Sequence, residues 1–158
     1  MDYAVVPMNE AQAREYLAWT YPAPYDFYTV RPQDRKAELA GILARAGDDY
    51  YAVLDGGGAL VGMYEYTFIE DMMEIGLGLA PDRTGQGLGL DFVRRCVTFG
   101  RETYGHRGPV VLLVADFNLR AIRVYEKLGF RTAATVTRPA HDREVTFLFM
   151  SLNPRQPA

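Results

Sequence analysis

The chain has 158 residues, a net charge of −3, 49% hydrophobic and 23% charged residues, the profile of an ordinary globular domain long enough to bury its own core. A mildly acidic balance gives no basic face of the kind that binds nucleic acid, and no apolar run approaches the roughly 20 residues needed to cross a bilayer, so neither nucleic acid nor a membrane is expected as a partner. The start, MDYAVVPMNE, carries two acids and no basic n-region, so no secretory leader is expected, and Cys96 is the single cysteine, which allows no internal disulfide and fits a reducing, cytoplasmic setting.

Tyr3–Pro7 predicts a first strand. Asn9 follows as an N-cap with Gln12 in the capping-box position, opening a helix to about Trp19. YPAPYDFYTVRP, rich in Pro and aromatic residues, predicts an ordered loop. Pro32 fits the first turn of a second helix, to about Ala46, where Gly47 ends it. Tyr50–Leu54 and Leu60–Ile69 predict a hairpin across Asp55-Gly56-Gly57-Gly58, and Asp71-Met72 turns the chain into a third strand, Met73–Leu79.

PDRTGQGLGLDFV, residues 81–93, then places Gly85, Gly87 and Gly89 just ahead of a helix that runs to Tyr104. The six apolar residues Val110–Ala115 predict a strand buried on both faces. Asn118 caps a helix over Leu119–Leu128, and Gly129 stops it. Arg131–Thr137 and Val145–Leu152 predict two last strands around a polar turn, PAHDRE. The order β-α-α-β-β-β-α-β-α-β-β predicts a single α/β domain over residues 1–158. Its sheet is mixed and mostly antiparallel, with a central parallel strand pair from the passage 73–115 and helices on both faces.

The three glycines carry the first functional signal. The first turn of a helix offers unpaired N–H groups and a partial positive charge. Glycines remove the Cβ atoms that would hold a phosphate away from them. The pattern predicts an anion cradle. It lacks the Gly-Lys-Ser/Thr end of a P-loop, because Leu90-Asp91 follows Gly89, and its G-x-G-x-G spacing departs from the dinucleotide G-x-G-x-x-G. In the preceding strand Ile75, Leu77 and Leu79 share one face while Glu74, Gly76 and Gly78 share the other. Such a bare strip lets a ligand or a backbone approach closely, and Glu74 stands at its far end.

These residues resemble the GNAT superfamily of acyl-CoA-dependent N-acetyltransferases. Thr84-Gly85-Gln86-Gly87-Leu88-Gly89 is similar to that family's acetyl-CoA motif, with Thr84 where the family carries Gln or Arg and with Arg83 one residue early. Ala115 to Phe130 is similar to a second family motif through Asn118, Ala121, Tyr125 and the closing Gly129-Phe130. Asn118 and Tyr125 are seven residues apart, almost two helical turns, and therefore share a face. Asn118 reads as a helix cap or as a ligand for an amide. Tyr125 reads as a core aromatic or, with a phenol pKa of about 10, as a proton donor to a thiolate.

The resemblance implies acetyl transfer from acetyl-CoA to a primary amine by direct attack. It implies that Thr84, Gly85, Gln86, Gly87, Leu88, Gly89 and Leu90 bind coenzyme A, with the N–H groups from Gly85 to Leu90 on its pyrophosphate, and that Asn118 contributes to the same cosubstrate. The backbone of Leu77, Gly78 and Leu79 pairs with the pantetheine arm between two splayed parallel strands, and the Leu79 N–H serves as oxyanion donor. Glu74 matches the family's general base, directly or through water, and Tyr125 its general acid. Tyr25, Asp26 and Tyr28 fall where the family lines its acceptor cleft, with Asp26 suited to an ammonium. His141 reads as a surface residue or a second acid/base group, and Cys96 as a buried thiol. Two histidines and one cysteine without ligand spacing predict no metal site. Three functions stay open: a protein or peptide N-acetyltransferase, a small-amine acetyltransferase (amino acid, polyamine or antibiotic), and an acetyl-CoA sensor, which would need no base. The family often forms homodimers.

Overall fold

The computed structural model describes residues 2–44 and 49–154. Among the described residues there are seven strands, β1 (Ala4–Pro7), β2 (Tyr50–Leu54), β3 (Leu60–Ile69), β4 (Met72–Leu79), β5 (Val110–Ala115), β6 (Arg131–Ala140) and β7 (Arg143–Leu152), and four α-helices. The helices are α1 (Glu10–Leu17), α2 (Arg35–Ala44), α3 (Gly89–Tyr104) and α4 (Leu119–Lys127). The strands hydrogen-bond in the order β1-β2-β3-β4-β5-β7-β6. β4 and β5 run parallel, while β1–β2, β2–β3, β5–β7 and β6–β7 are antiparallel. This is the mixed, mostly antiparallel sheet with one parallel pair that the element order predicts. Contacts group the chain into two compact units, Met1–Glu65 with Leu77–Gln86, and Tyr66–Gly76 with Gly87–Ala158.

In the first unit α1 begins as its sequence dictates. The Asn9 side chain accepts from the Gln12 N–H at 2.8 Å while Gln12 Oε1 accepts from the Asn9 N–H at 3.0 Å, so two orphan donors are satisfied reciprocally. Ala13 and Leu17 of α1 and Ile42 of α2 pack with Met8, Ala52 of β2 and Met63 of β3 into a buried apolar cluster. Pro32 opens a short 3-10 turn, Pro32–Asp34, ahead of α2. The expected end of that helix, at Ala46 and Gly47, lies outside the described residues. The β2–β3 turn is organised by Asp55, whose Oδ1 accepts from Gly57 N–H at 2.9 Å and Ala59 N–H at 3.0 Å, and Gly58 takes the left-handed conformation at φ +85°.

In the second unit β5 is buried almost throughout, as its unbroken apolar run predicts. α3 lays Phe92, Val93, Cys96, Val97 and Gly100 inward. The phenol of Tyr66, fully buried on β3, donates to the Cys96 carbonyl at 2.6 Å. A Cβ on Gly100 would come within 2.4 Å of the Tyr66 ring and 2.7 Å of Met73 Cε, so the absence of a side chain there sets how closely α3 approaches β3 and β4. Gly129, at φ +105°, ends α4.

Several boundaries differ from the sequence reading. α1 stops at Leu17 rather than Trp19, and the β3–β4 turn falls on Glu70-Asp71, one residue earlier. The stretch PAHDRE is mostly strand: β6 runs to Ala140 and β7 begins at Arg143. The turn is His141-Asp142 alone, with both φ values positive, 49° and 64°, the conformation that closes a two-residue hairpin.

Candidate functional site

The glycine-rich connection is built for conformation and openness. Gly85 and Gly87 have φ of +72° and +75°, and a Cβ on either would meet nothing within 4 Å. Their positive φ is available to glycine at little cost, and the space beside them is unfilled. α3 starts at Gly89, so the third glycine is already helical, and its own Cβ position lies 3.5 Å from Val124 Cγ2 of α4. Leu88, the N-cap of α3, supplies no side-chain cap. α1 and α4, by contrast, are both capped by asparagine. A 16-residue helix therefore presents first-turn N–H groups at an uncapped, open end, where the helix dipole favours an anion.

The side chains flanking this loop are turned to structural work. Arg83, one residue ahead of the expected position, pairs with Asp55 at 3.1 Å. The N–H groups of Ala59 and Gly57, with the Arg83 guanidinium, hold the Asp55 carboxyl below its ordinary value. The Thr84 hydroxyl donates to the Pro81 carbonyl at 2.9 Å, and the Gln86 amide to the Asp82 carbonyl. What the loop offers an anion is therefore its backbone. Asp55 was read from sequence only as a turn residue; its hold on Arg83 joins positions 28 residues apart.

In the second unit the parallel ladder pairs Met73 with Val110 and Glu74 with Val111. Glu74, half-buried, stands at the last rung, and β4 continues for five residues beyond it. On β4 Met73 and Ile75 are buried, but Leu77 and Leu79 are covered only in part, so the apolar face expected of 75, 77 and 79 opens toward its end. Asn118 Oδ1 accepts from the Ala121 N–H at 3.3 Å, which makes it the cap of α4. Tyr125 is half-buried and meets Phe130 edge-on at 5.8 Å between ring centroids. With Val124 against Gly89, the α4 segment carrying Tyr125 packs beside the open end of α3.

In the first unit Tyr25–Tyr28 forms a 3-10 turn. It follows a cis Ala23–Pro24 bond. The loop is self-bonded: Tyr25 and Asp26 N–H groups donate to the Pro22 carbonyl at 2.8 and 3.1 Å, and Thr29 N–H to Asp26 O at 3.0 Å. Asp26 is exposed, Tyr28 is 40% exposed and Tyr25 half-buried. At the start of this loop Tyr21 has its hydroxyl on the Leu79 carbonyl at 2.6 Å, a partner that the sequence does not indicate. His141 is an exposed turn residue with positive φ. Cys96 is fully buried, and burial pushes its thiol up to about 12, against a smaller lowering by the Tyr66 hydrogen bond; such a thiol is inert. Among the described residues no three His, Cys, Asp or Glu side chains stand together as a metal site, and no helix is long and apolar enough to cross a membrane.

A sequence profile described as the acetyltransferase (GNAT) family matches residues 11–130. Comparison with curated protein sequences gives no match. Among solved structures the chain is similar to a chimera of the spermidine N-acetyltransferase SpeG from Vibrio cholerae and hSSAT, with a TM-score of 0.81, 17% identity, and coverage of 97% of this chain and 96% of that one. An acetyltransferase (GNAT family) from Bacillus anthracis gives a TM-score of 0.77 at 14% identity, covering 97% of this chain and 95% of that one. The structure of yncA from Salmonella typhimurium, a putative acetyltransferase with its cofactor acetyl-CoA, gives 0.70 at 17% identity, covering 100% of this chain and 97% of that one.

Proposed function

The chain belongs to the acetyltransferase (GNAT) family, and from that premise we propose that it moves an acetyl group from acetyl-CoA to a primary amine by direct attack, within one N-acetyltransferase domain spanning residues 1–158. The observation that carries the reading is the uncapped start of α3 behind two left-handed glycines whose Cβ positions are open. Backbone N–H groups from Gly85 to Leu90 take the pyrophosphate of coenzyme A, with Thr84 at the head of the loop and Asn118 beside α4. The backbone of Leu77, Gly78 and Leu79 takes the pantetheine arm, and the Leu79 N–H faces the thioester oxygen as it gains charge.

A protonated amine is no nucleophile, so a base must take its proton. Glu74 is the carboxylate for this step, acting directly or through a water molecule. As the tetrahedral intermediate collapses, the C–S bond breaks and Tyr125 delivers a proton to the departing thiolate. The acceptor is held by Tyr25, Asp26 and Tyr28, with the exposed Asp26 carboxylate on its ammonium. Either a peptide N-terminus or a small amine fits this chemistry, and similarity to spermidine N-acetyltransferases supports testing polyamines first among the small amines. β6 ends the sheet order with nearly every residue exposed, which supports a homodimer through that edge. The single buried thiol is consistent with a cytoplasmic setting.

Glu74→Gln tests the assignment. It keeps the size of the side chain and removes the base, so turnover falls by about 10²–10⁴-fold while acetyl-CoA binding, read by calorimetry, stays within twofold. Full turnover in the variant would refute Glu74 as the base; an acetyl-CoA sensor would bind equally well and show no turnover even as wild type.

A further inference from the structure

Tyr21 joins two parts of the first unit to which the proposed reaction gives different roles. Its N–H donates to Thr29 Oγ1 at 3.0 Å, closing the 21–29 loop at its base. Its hydroxyl donates to the Leu79 carbonyl at 2.6 Å, a contact between residues 58 apart in sequence. The same peptide group is held at its other end, because the Ala80 N–H donates to the Val61 carbonyl at 2.9 Å. The phenol oxygen also lies 3.9 Å from the Cβ position of Gly78, so it closes over the bare strip of β4 in ordinary van der Waals contact. One residue therefore holds the last peptide of β4 through its hydroxyl and closes the loop that carries Tyr25, Asp26 and Tyr28 through its N–H.

We propose that Tyr21 is a positioning residue for acetyl transfer, holding the Leu79 peptide of β4 and the Asp26 loop in one fixed relation so that acyl carbon and amine meet in register. The inference rests on the reading above, in which the Leu77–Leu79 backbone carries the acyl arm and the loop carries the amine. Reacting atoms must be placed to within about 1 Å, and a misplacement of that size costs roughly 10²-fold in rate. The hydroxyl is suited to a permanent strut: burial, with Tyr16 adjacent, raises its pKa well above the ordinary tyrosine value, so it keeps its proton throughout the working range.

The test is Tyr21→Phe, which keeps the ring and removes the strut. Hydrogen exchange by mass spectrometry on the acetyl-CoA-free protein reads the pin: protection at the end of β4 and in segment 21–29 falls at least tenfold in the variant. Kinetics reads its use: kcat falls about 10- to 100-fold, while the calorimetric Kd for acetyl-CoA and its stoichiometry stay within twofold. Thr29→Val, which frees the base of the loop but leaves the Leu79 contact, raises acceptor KM with kcat kept within threefold. A merely structural role would lower the unfolding temperature and the number of binding sites without changing kcat per site, and that result overturns the proposal. Unchanged exchange in Tyr21→Phe overturns it as well, whatever the turnover. If the wild type binds acetyl-CoA but acetylates no amine, the transferase reading fails and the kinetic claim with it; if the wild type is active and Tyr21→Phe equals it, the positioning claim alone fails.

Discussion

Two glycines with similar left-handed φ separate the cost of a strained turn from the cost of a lost ligand contact. Gly87 in the loop before α3 and Gly58 in the β2–β3 turn have φ of +75° and +85°, and a Cβ on either meets nothing within 4 Å. Alanine at each site therefore introduces no clash. It introduces the left-handed penalty of about 1–2 kcal/mol, which lowers the unfolding temperature by about 2–8 °C for a chain of this size. That penalty is common to both variants, so thermal unfolding should not distinguish them. Acetyl-CoA should. If Gly87→Ala relieves its strain by turning the peptide, one charge-assisted hydrogen bond to the pyrophosphate is lost, about 1.5–3 kcal/mol. At 1.4 kcal/mol per decade, that weakens acetyl-CoA about 10- to 150-fold. Gly58→Ala leaves the Kd unchanged. Titration calorimetry on both, with melting curves on the same preparations, reads the comparison. Equal affinities in the two variants would refute the backbone cradle, as would a loss of affinity in Gly58→Ala as large as that in Gly87→Ala.

Packing and titration give two further expectations. Gly100→Ala drives a Cβ to 2.4 Å from the Tyr66 ring and 2.7 Å from Met73 Cε; overpacking of about 1–3 kcal/mol exceeds the gain of up to about 1 kcal/mol in helix propensity, so the variant melts lower. Gly41→Ala in α2, where a Cβ meets nothing within 4 Å, gains that propensity without the clash and melts higher, and the opposite order of melting temperatures would contradict the packing argument. The Cys96 thiol, ordinarily at 9.0, is raised to about 12 by burial. The unfolded state therefore loses its proton first. The contribution is complete below pH 9.0 and is lost as pH climbs to about 12, at up to about 1.4 kcal/mol per pH unit. Cys96→Ala should flatten this alkaline fall in urea titrations, at some cost in core packing at neutral pH, and an equal slope in both proteins would contradict it.

Local signals in the sequence were the ones most directly legible. Asn9 and Gln12 specify the start of α1 because both partners of the capping box lie within one turn. Val110–Ala115 announces a strand buried on both faces because nothing polar interrupts it. Gly85 and Gly87 mark the loop, and their left-handed φ values give the physical reason. PAHDRE misled because proline and charges suggest a turn, whereas Pro139, in β6, the last strand in the sheet order, pairs with Glu144 of β7; a missing N–H is tolerated in an edge strand. The long-range hydrogen bonds of Tyr21 and Asp55 were not legible in the sequence. Their partners, Leu79 and Arg83, lie 58 and 28 residues away, and no periodicity or spacing rule reaches across a fold. Asn118 shows a further limit, since cap and ligand readings share one residue type and the structure places its Oδ1 on the Ala121 N–H.

The measurement that bears most directly on the account is coenzyme A release, followed as free thiol, with acetyl-CoA and a mixed panel of amines. The panel holds peptides beginning with Ala, Ser and Met, together with polyamines, amino acids and aminoglycosides. The account predicts turnover confined to one class of amine, with acetyl-CoA bound at one site per chain. Tight binding without turnover on any amine would contradict the transferase, and no binding at all would contradict the reading of Gly85, Gly87 and the open end of α3 as the seat of coenzyme A.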